Sequence, residues 1–188
     1  MEAANYEYSC KVVVVGEPGV GKSPMLYKLV TDDFKPFSFN STEGVDNTRQ
    51  MIFNVLHHHV MLRFWDVGRF TGAILDELVQ GIFLRAGLVV FVFDLTCQNS
   101  FDRIASHHLP NFKASMKSDE SEKVPLLLIG NKSDLQVKRT VTTEVAESFA
   151  AKNDMFYIEY SSAKCSNSIL LEKIREILEK KLITQGTI

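Results

Sequence analysis

The chain has no apolar run longer than a β-strand. Its longest, Leu88-Val89-Val90-Phe91-Val92-Phe93, falls far short of the about 20 residues that cross a bilayer. It also lacks an excess of either charge. With 21 basic and 23 acidic side chains and a formal net charge of −2, it carries no electrostatic footprint for nucleic acid, and no basic run suits a membrane surface. Cysteine is scarce: Cys10, Cys97 and Cys165, odd in number and widely spaced, read as reduced thiols of an intracellular protein rather than a disulfide framework. Met1-Glu2-Ala3-Ala4-Asn5-Tyr6 holds neither a basic region nor an apolar core, so no signal peptide is expected. Gly186-Thr187-Ile188 holds no cysteine, so no prenylation site is expected in this chain. Neither a repeat nor a linker interrupts the composition. One domain over residues 1–188 is expected, with short flexible termini at 1–8 and 183–188 and a cytoplasmic location.

What is present is an alternation of apolar runs and helix-period segments. Runs at 11–15, 88–93 and 125–129 are nearly continuous, as in parallel strands covered on both faces, and Met155-Phe156-Tyr157-Ile158 reads as a last strand. Runs at 51–56 and 60–65 flank a short turn and predict an antiparallel hairpin. Helices are predicted over 22–30, 74–84, 100–117, 143–152 and 168–182. In the last, Leu170, Ile174, Ile177 and Leu178 share one face. Thr142 or Thr143 is the expected N-cap of the fourth, and 115–123 reads as an exposed loop. The fold class is a three-layer α/β sandwich of the P-loop kind, a mostly parallel six-stranded sheet flanked by about five helices. Ligands of such sheets bind outside the carboxyl ends of the strands.

Three of those loops carry chemistry. Gly16-Glu17-Pro18-Gly19-Val20-Gly21-Lys22-Ser23 follows the strand Lys11–Val15 and fits G-x-x-x-x-G-K-S/T. Its glycines let successive backbone N–H groups, among them those of Gly19, Val20 and Gly21, converge on a phosphate. Lys22 sets a point charge on the terminal phosphates, and the Ser23 hydroxyl can ligate Mg²⁺. Asn131-Lys132-Ser133-Asp134 follows the strand ending Ile129-Gly130. The Asp134 carboxylate can accept from guanine N1 and its 2-amino group. Adenine, with an acceptor at N1 and no amine there, would leave it unpaired. Asn131 can tie loops together, and the stem of Lys132 can cover a ring face. Ser162-Ala163-Lys164 can offer N–H groups to guanine O6.

With these motifs the chain resembles a small GTPase of the Ras superfamily, closest to its Rab branch, over residues 9–182. The likeness also rests on Ser41-Thr42-Glu43-Gly44-Val45-Asp46, on Trp65-Asp66, and on Phe93-Asp94-Leu95-Thr96 followed by Ser100-Phe101. It implies that Thr42 closes on Mg²⁺ and the γ-phosphate of GTP and that Asp66 holds the metal through water. It implies a GTP/GDP switch that effectors, an exchange factor and a GTPase-activating protein read through residues 35–47 and 66–80. Membership also implies peripheral attachment to intracellular membranes, and atypical Rab-like relatives in cilia assembly suggest a ciliary site by analogy. Phe34 would stack on the guanine; the alternatives are simple packing, or Phe37 or Phe39 in that role.

The departures are as informative. The family keeps D-x-x-G-Q, whose Gly amide bonds the γ-phosphate and whose Gln orients water; here Trp65-Asp66-Val67-Gly68-Arg69-Phe70 stands instead. Either one residue is missing, so that Gly68 is the family Gly and Arg69 replaces Gln, or Arg69 replaces the Gly. The first reading is preferred. Both remove the Gln, and arginine accepts no hydrogen bond from water, so slow hydrolysis is expected. The contrary reading has Arg69 stabilise transition-state charge in cis. Pro24 has no N–H to give the α-phosphate, where relatives donate one. Losing a bond to a charged group costs roughly 1.5–3 kcal/mol, or ten- to a hundredfold in affinity for GTP and GDP alike. Glu43 is expected to face solvent or a partner. A scaffold that holds GTP constitutively, or holds little nucleotide, is the competing function; an ATP-dependent kinase is disfavoured by Asp134. His57-His58-His59 reads as an exposed turn rather than a metal site, His107-His108 as structural or surface, and Cys165 as a bystander.

Overall fold

A computed structural model of the chain describes residues 6–33, 44–68, 81–116 and 124–184. Six strands, β1 (Tyr8–Val15), β2 (Val45–Val55), β3 (His58–Val67), β4 (Leu88–Asp94), β5 (Leu126–Asn131) and β6 (Met155–Glu159), form one sheet in the order β2-β3-β1-β4-β5-β6. Only the β2–β3 pair is antiparallel. The helices are α1 (Lys22–Thr31), α2 (Gln98–Arg103), α3 (Leu109–Ser115), α4 (Thr143–Lys152) and α5 (Asn167–Thr184). Residues 81–83 are also helical and Leu84 is in a turn; 74–80 of the helix predicted over 74–84 lie outside the described residues. Of the exposed loop predicted at 115–123, Ser115 is instead the buried last residue of α3, its hydroxyl bonded to the Phe112 carbonyl, and 117–123 lie outside the described residues.

The period-2 geometry of the strands builds the layers. Val12 and Val14 of β1, with Leu88, Val90 and Val92 of β4, join a core that α1 and α5 cover through Met25, Leu26, Leu170, Ile174, Ile177 and Leu178. Val13 and Val15, with Val89, Phe91 and Phe93, face the other way into a second core with Phe101, Ile104, Phe112, Ala146 and Ala150. Each valine of β1's buried half is no more than 3 % exposed, which accounts for the unbroken apolar run: a parallel strand covered on both sides has no polar face. Strands extend past the predicted runs, β2 beginning at Val45 and β1 at Tyr8, because ladder pairing continues through polar residues. Thr142 caps α4, its hydroxyl accepting from the Val145 N–H at 3.4 Å.

The helix predicted over 100–117 is broken in two by a π-helical turn at Ile104–His108, immediately before Pro110. Proline lacks an N–H and its ring collides with the carbonyl four residues back. The wider turn, closed by the Leu109 N–H on the Ile104 carbonyl, relieves that conflict. It also turns His108 toward Glu17, in the loop after β1.

At the exit of β1 the backbone can pass only as glycine. Gly16 has φ 153°, and a Cβ there would lie 2.1 Å from the Val92 carbonyl oxygen. Gly19 has φ 81° but open space around its missing Cβ. Gly19→Ala should therefore cost about 1–2 kcal/mol from left-handed strain alone. Gly16→Ala, which must also displace a strand, should cost on the order of 3 kcal/mol or more. Urea unfolding of the two variants side by side checks the order.

Candidate functional site

The loop after β1 curls over the N-terminus of α1. Gly21, the N-cap, has φ 96° and no side chain to satisfy the first-turn N–H groups, so they remain available to an anion. The ammonium of Lys22 is buried and donates to the carbonyls of Gly16 at 2.7 Å and Glu17 at 3.1 Å. Of its three N–H groups, one is left among the described residues to meet a ligand. Burial pushes the Lys22 pKa down, against the pull of Asp66 and Glu17. Pro24 is the third residue of α1, and the helix closes its first bond past it, from the Met25 N–H to Gly21 at 3.0 Å.

The loops after β5 and β6 are locked to this one. Asn131, 1 % exposed, donates through Nδ2 to the Val20 carbonyl at 2.8 Å. Its Oδ1 accepts from the Ser162 N–H at 3.2 Å and the Ser162 hydroxyl at 3.1 Å. Lys132, in a left-handed conformation (φ 63°), sends its ammonium back to the Gly19 carbonyl at 2.9 Å and to Asp94 at 2.7 Å. Its stem thus runs from one loop to the other. Asp134 Oδ1 accepts from the Ser161 hydroxyl at 2.6 Å, and Ser161 in turn accepts from the Lys164 N–H at 3.0 Å. Of the three amides expected to face a base oxygen, those of Ser162 and Lys164 are therefore engaged; that of Ala163 has no partner among the described residues.

Asp66, at the end of β3, is fully buried, and neither carboxylate oxygen has a hydrogen-bond partner. Arg49 lies 3.6 Å away. Burial raises the Asp66 pKa, while Ser23, Lys22 and Arg49 draw it back. A buried carboxylate without a hydrogen-bond partner, beside a serine hydroxyl, is an all-oxygen donor set that fits Mg²⁺. The Gly68 N–H, one residue beyond β3, donates to the Gly44 carbonyl at 2.8 Å, extending the β2–β3 ladder. Phe34, Thr42, Glu43 and Arg69 lie outside the described residues, as do Phe37, Phe39 and most of the expected partner surface.

Four contributors had little signature in the sequence. Ser161 is one residue before the stretch singled out, and only its hydroxyl's reach to Asp134 reveals it. Asp94 anchors Lys132 from the Phe93-Asp94-Leu95-Thr96 phrase, and Arg49 approaches from a strand read only for its apolar pattern. The fourth is His108, which was expected to be structural or surface. Through the π-helical turn its Nε2 lies 3.0 Å from Glu17 of the phosphate loop, and Arg103 lies 3.3 Å from the same oxygen. Of His57-His58-His59, expected in an exposed turn, only His57 sits there; His58 and His59 begin β3, because ladder pairing with Val55 and Asn54 runs to the end of the hairpin, and His58 pairs with Glu7. Cys165 is a free thiol whose sulfur accepts from the Ser161 N–H and whose carbonyl accepts from Lys28.

A three-layer sheet with a phosphate loop after β1, and a second and third loop bonded to it, defines a nucleotide-binding protein of the P-loop class. The comparison with known sequences is specific. The Ras family model matches residues 11–181, and the chain belongs to that family as a Rab-like small GTPase. It is 31% identical over 182 residues to the Ras-related protein RABA4a of Arabidopsis thaliana, covering 93% of this chain and 76% of that one. It is likewise 31% identical to Rab11A of Lotus japonicus, over 95% of this chain and 77% of the relative. To Rab-30 of Homo sapiens it is 29% identical, over 99% and 86%.

The His108 contact has a pH signature. Burial pushes its imidazole from 6.5 down to about 4, so it is neutral near pH 7 and donates its Nε2 proton to Glu17. A folded pKa below the unfolded one means stability that is complete above about pH 6.5 and is lost as pH falls toward 4. Between pH 7 and 4.5 that loss is about 2.5 kcal/mol. His108→Gln keeps a donor and removes the titration. Chemical denaturation at the two pH values should show the wild type losing about that much more than the variant.

Proposed function

We propose that this protein is a guanine-nucleotide switch that binds GTP and GDP with Mg²⁺, hydrolyses GTP slowly and presents its loops to effectors in vesicle traffic. The observation that carries the reading is Asn131, whose buried amide joins the phosphate loop, the expected base-reading loop and the Ser162 loop in one unit. In that cradle Asp134 takes the guanine edge, held by Ser161, and the Ala163 N–H meets its O6. Lys22 and the N–H groups at the start of α1 hold the phosphates and stabilise the charge that develops during transfer. Ser23, Asp66 and Thr42 would hold Mg²⁺, which supplies neutralising charge at the β- and γ-phosphates when bound. Guanine-nucleotide binding is supported by the Rab-named relatives and by a further relative whose printed name is GTP-binding protein ypt3. No helix among the described residues is long and apolar enough to cross a membrane.

A second reading is favoured by Gly68. Its amide, expected at the γ-phosphate, is committed to Gly44 and must leave that carbonyl to act. With Arg69 unable to accept from water, a module that holds GTP without turning it over fits the same residues.

Identifying the nucleotide released on denaturing the purified protein, followed by single-turnover hydrolysis, separates the two. Bound GDP with slow turnover is the outcome of the switch. Bound GTP that survives for hours indicates the constitutive module, and no nucleotide with no measurable GTP affinity refutes both. Pro24→Ala restores the missing N–H. It should tighten GDP and GTP equally, by roughly ten- to a hundredfold in competition binding.

A further inference from the structure

Asp46 and Asp66 are direct cross-strand partners in the antiparallel β2–β3 ladder, and carboxylates in that relation repel. Between Asp46 and Arg49 the ladder slips by one residue. Such a bulge re-aims the side chains that follow it. The Arg49 guanidinium lies 2.7 Å from Asp46 Oδ2 and 3.6 Å from Asp66 Oδ2, and is itself mostly buried. Lys22, the other cation near Asp66, spends two donors on loop carbonyls. Arg49, shared between the two carboxylates, thus compensates in part, from the side, the one that the oxygen donor set leaves for a metal, against the repulsion of Asp46. It cannot shed its proton. Its tighter bond to Asp46 keeps it in place whatever happens at Asp66.

We propose that Arg49 is a built-in counter-ion at the metal position, a cation that shares Asp66 with Mg²⁺ and makes nucleotide retention by this protein weakly dependent on the metal. The inference rests on the guanine-nucleotide reading above. Its logic is Coulombic. With the metal absent, Asp66 is already partly compensated, so the nucleotide site is not left facing a bare buried carboxylate. With the metal present, the guanidinium competes with it for the charge of the same carboxylate oxygen, Asp66 Oδ2. Both effects flatten the response to Mg²⁺. Arg49 contacts neither phosphate nor base and acts through Asp66, as a positioning residue.

The test is the dissociation rate of fluorescently labelled GDP from the full chain, measured from chelated to millimolar Mg²⁺, for the wild type, Arg49→Gln and Arg49→Lys. The wild-type rate should change by less than about tenfold across that range. In R49Q the span should widen by at least about tenfold and its midpoint should move to lower Mg²⁺ by a similar factor. R49K, which keeps the charge, should stay near the wild type. Thermal melting provides an independent reading: R49Q should melt lower than the wild type in chelator and recover the difference when Mg²⁺ and GDP are added. Equal Mg²⁺ dependence in the wild type and R49Q overturns the inference. So does a wild-type rate that rises more than about a hundredfold on chelation, a result that needs no variant to fold. Failure of every protein, wild type included, to bind nucleotide at any Mg²⁺ concentration sinks the functional reading itself.

Discussion

The buried side chain of Asn131 is the point on which the site depends. Its amide uses both ends: Nδ2 on the Val20 carbonyl, Oδ1 on the backbone and hydroxyl of Ser162. Buried amides that lose a partner cost about 1–3 kcal/mol each, so none of the three loops can shift alone without stranding a polar group. The fit is tight enough to dictate a neighbour. A Cβ on Gly21 would sit 2.4 Å from the Asn131 nitrogen, so the glycine at the head of α1 is required by the asparagine as well as by its own φ. The loops that would read phosphate and base are therefore set before any ligand arrives.

Charge is handled differently at the two ends of that cradle. At the base end, Lys132 and Asp94 pair and Asp134 is held by a hydroxyl, so the carboxylates there have partners. At the phosphate end, Asp66 is buried with no hydrogen bond. A buried carboxylate persists only where something supplies compensating charge, and here Lys22 and Arg49 do so in part. That asymmetry separates a region whose carboxylates have side-chain partners at hydrogen-bond distance from one whose carboxylate has charge partners alone. Glu17 belongs with the first: its carboxylate is met by His108 and Arg103 and is drawn away from the anion its own loop would bind.

The fold was legible because its signals are local and redundant. The β1 and β4 runs are apolar at every position since both faces are covered, and α5 shows its buried stripe at helical spacing. The loops after β1 and β5 stand out because each follows an apolar strand, and the role of Asn131 as a tie between loops is legible from its place alone. What stayed hidden depends on distance in sequence. Ser161 matters only through Asp134, 27 residues away, and His108 only through Glu17, 91 residues away. Arg49 was concealed by a ladder slip that no propensity announces. The break in the helix at 100–117 had a visible cause in Pro110, but proline alone does not say whether a helix kinks, ends or widens.

The bond from the Gly68 amide to the Gly44 carbonyl joins the end of β3 to the start of β2. Neither point of the chain can move without the other while that one proton stays in place. Whatever draws the Gly68 amide away also frees the Gly44 carbonyl, so one proton couples the two ends of the hairpin. Hydrogen exchange at that single amide would report, like a clock hand, whether they are joined or parted.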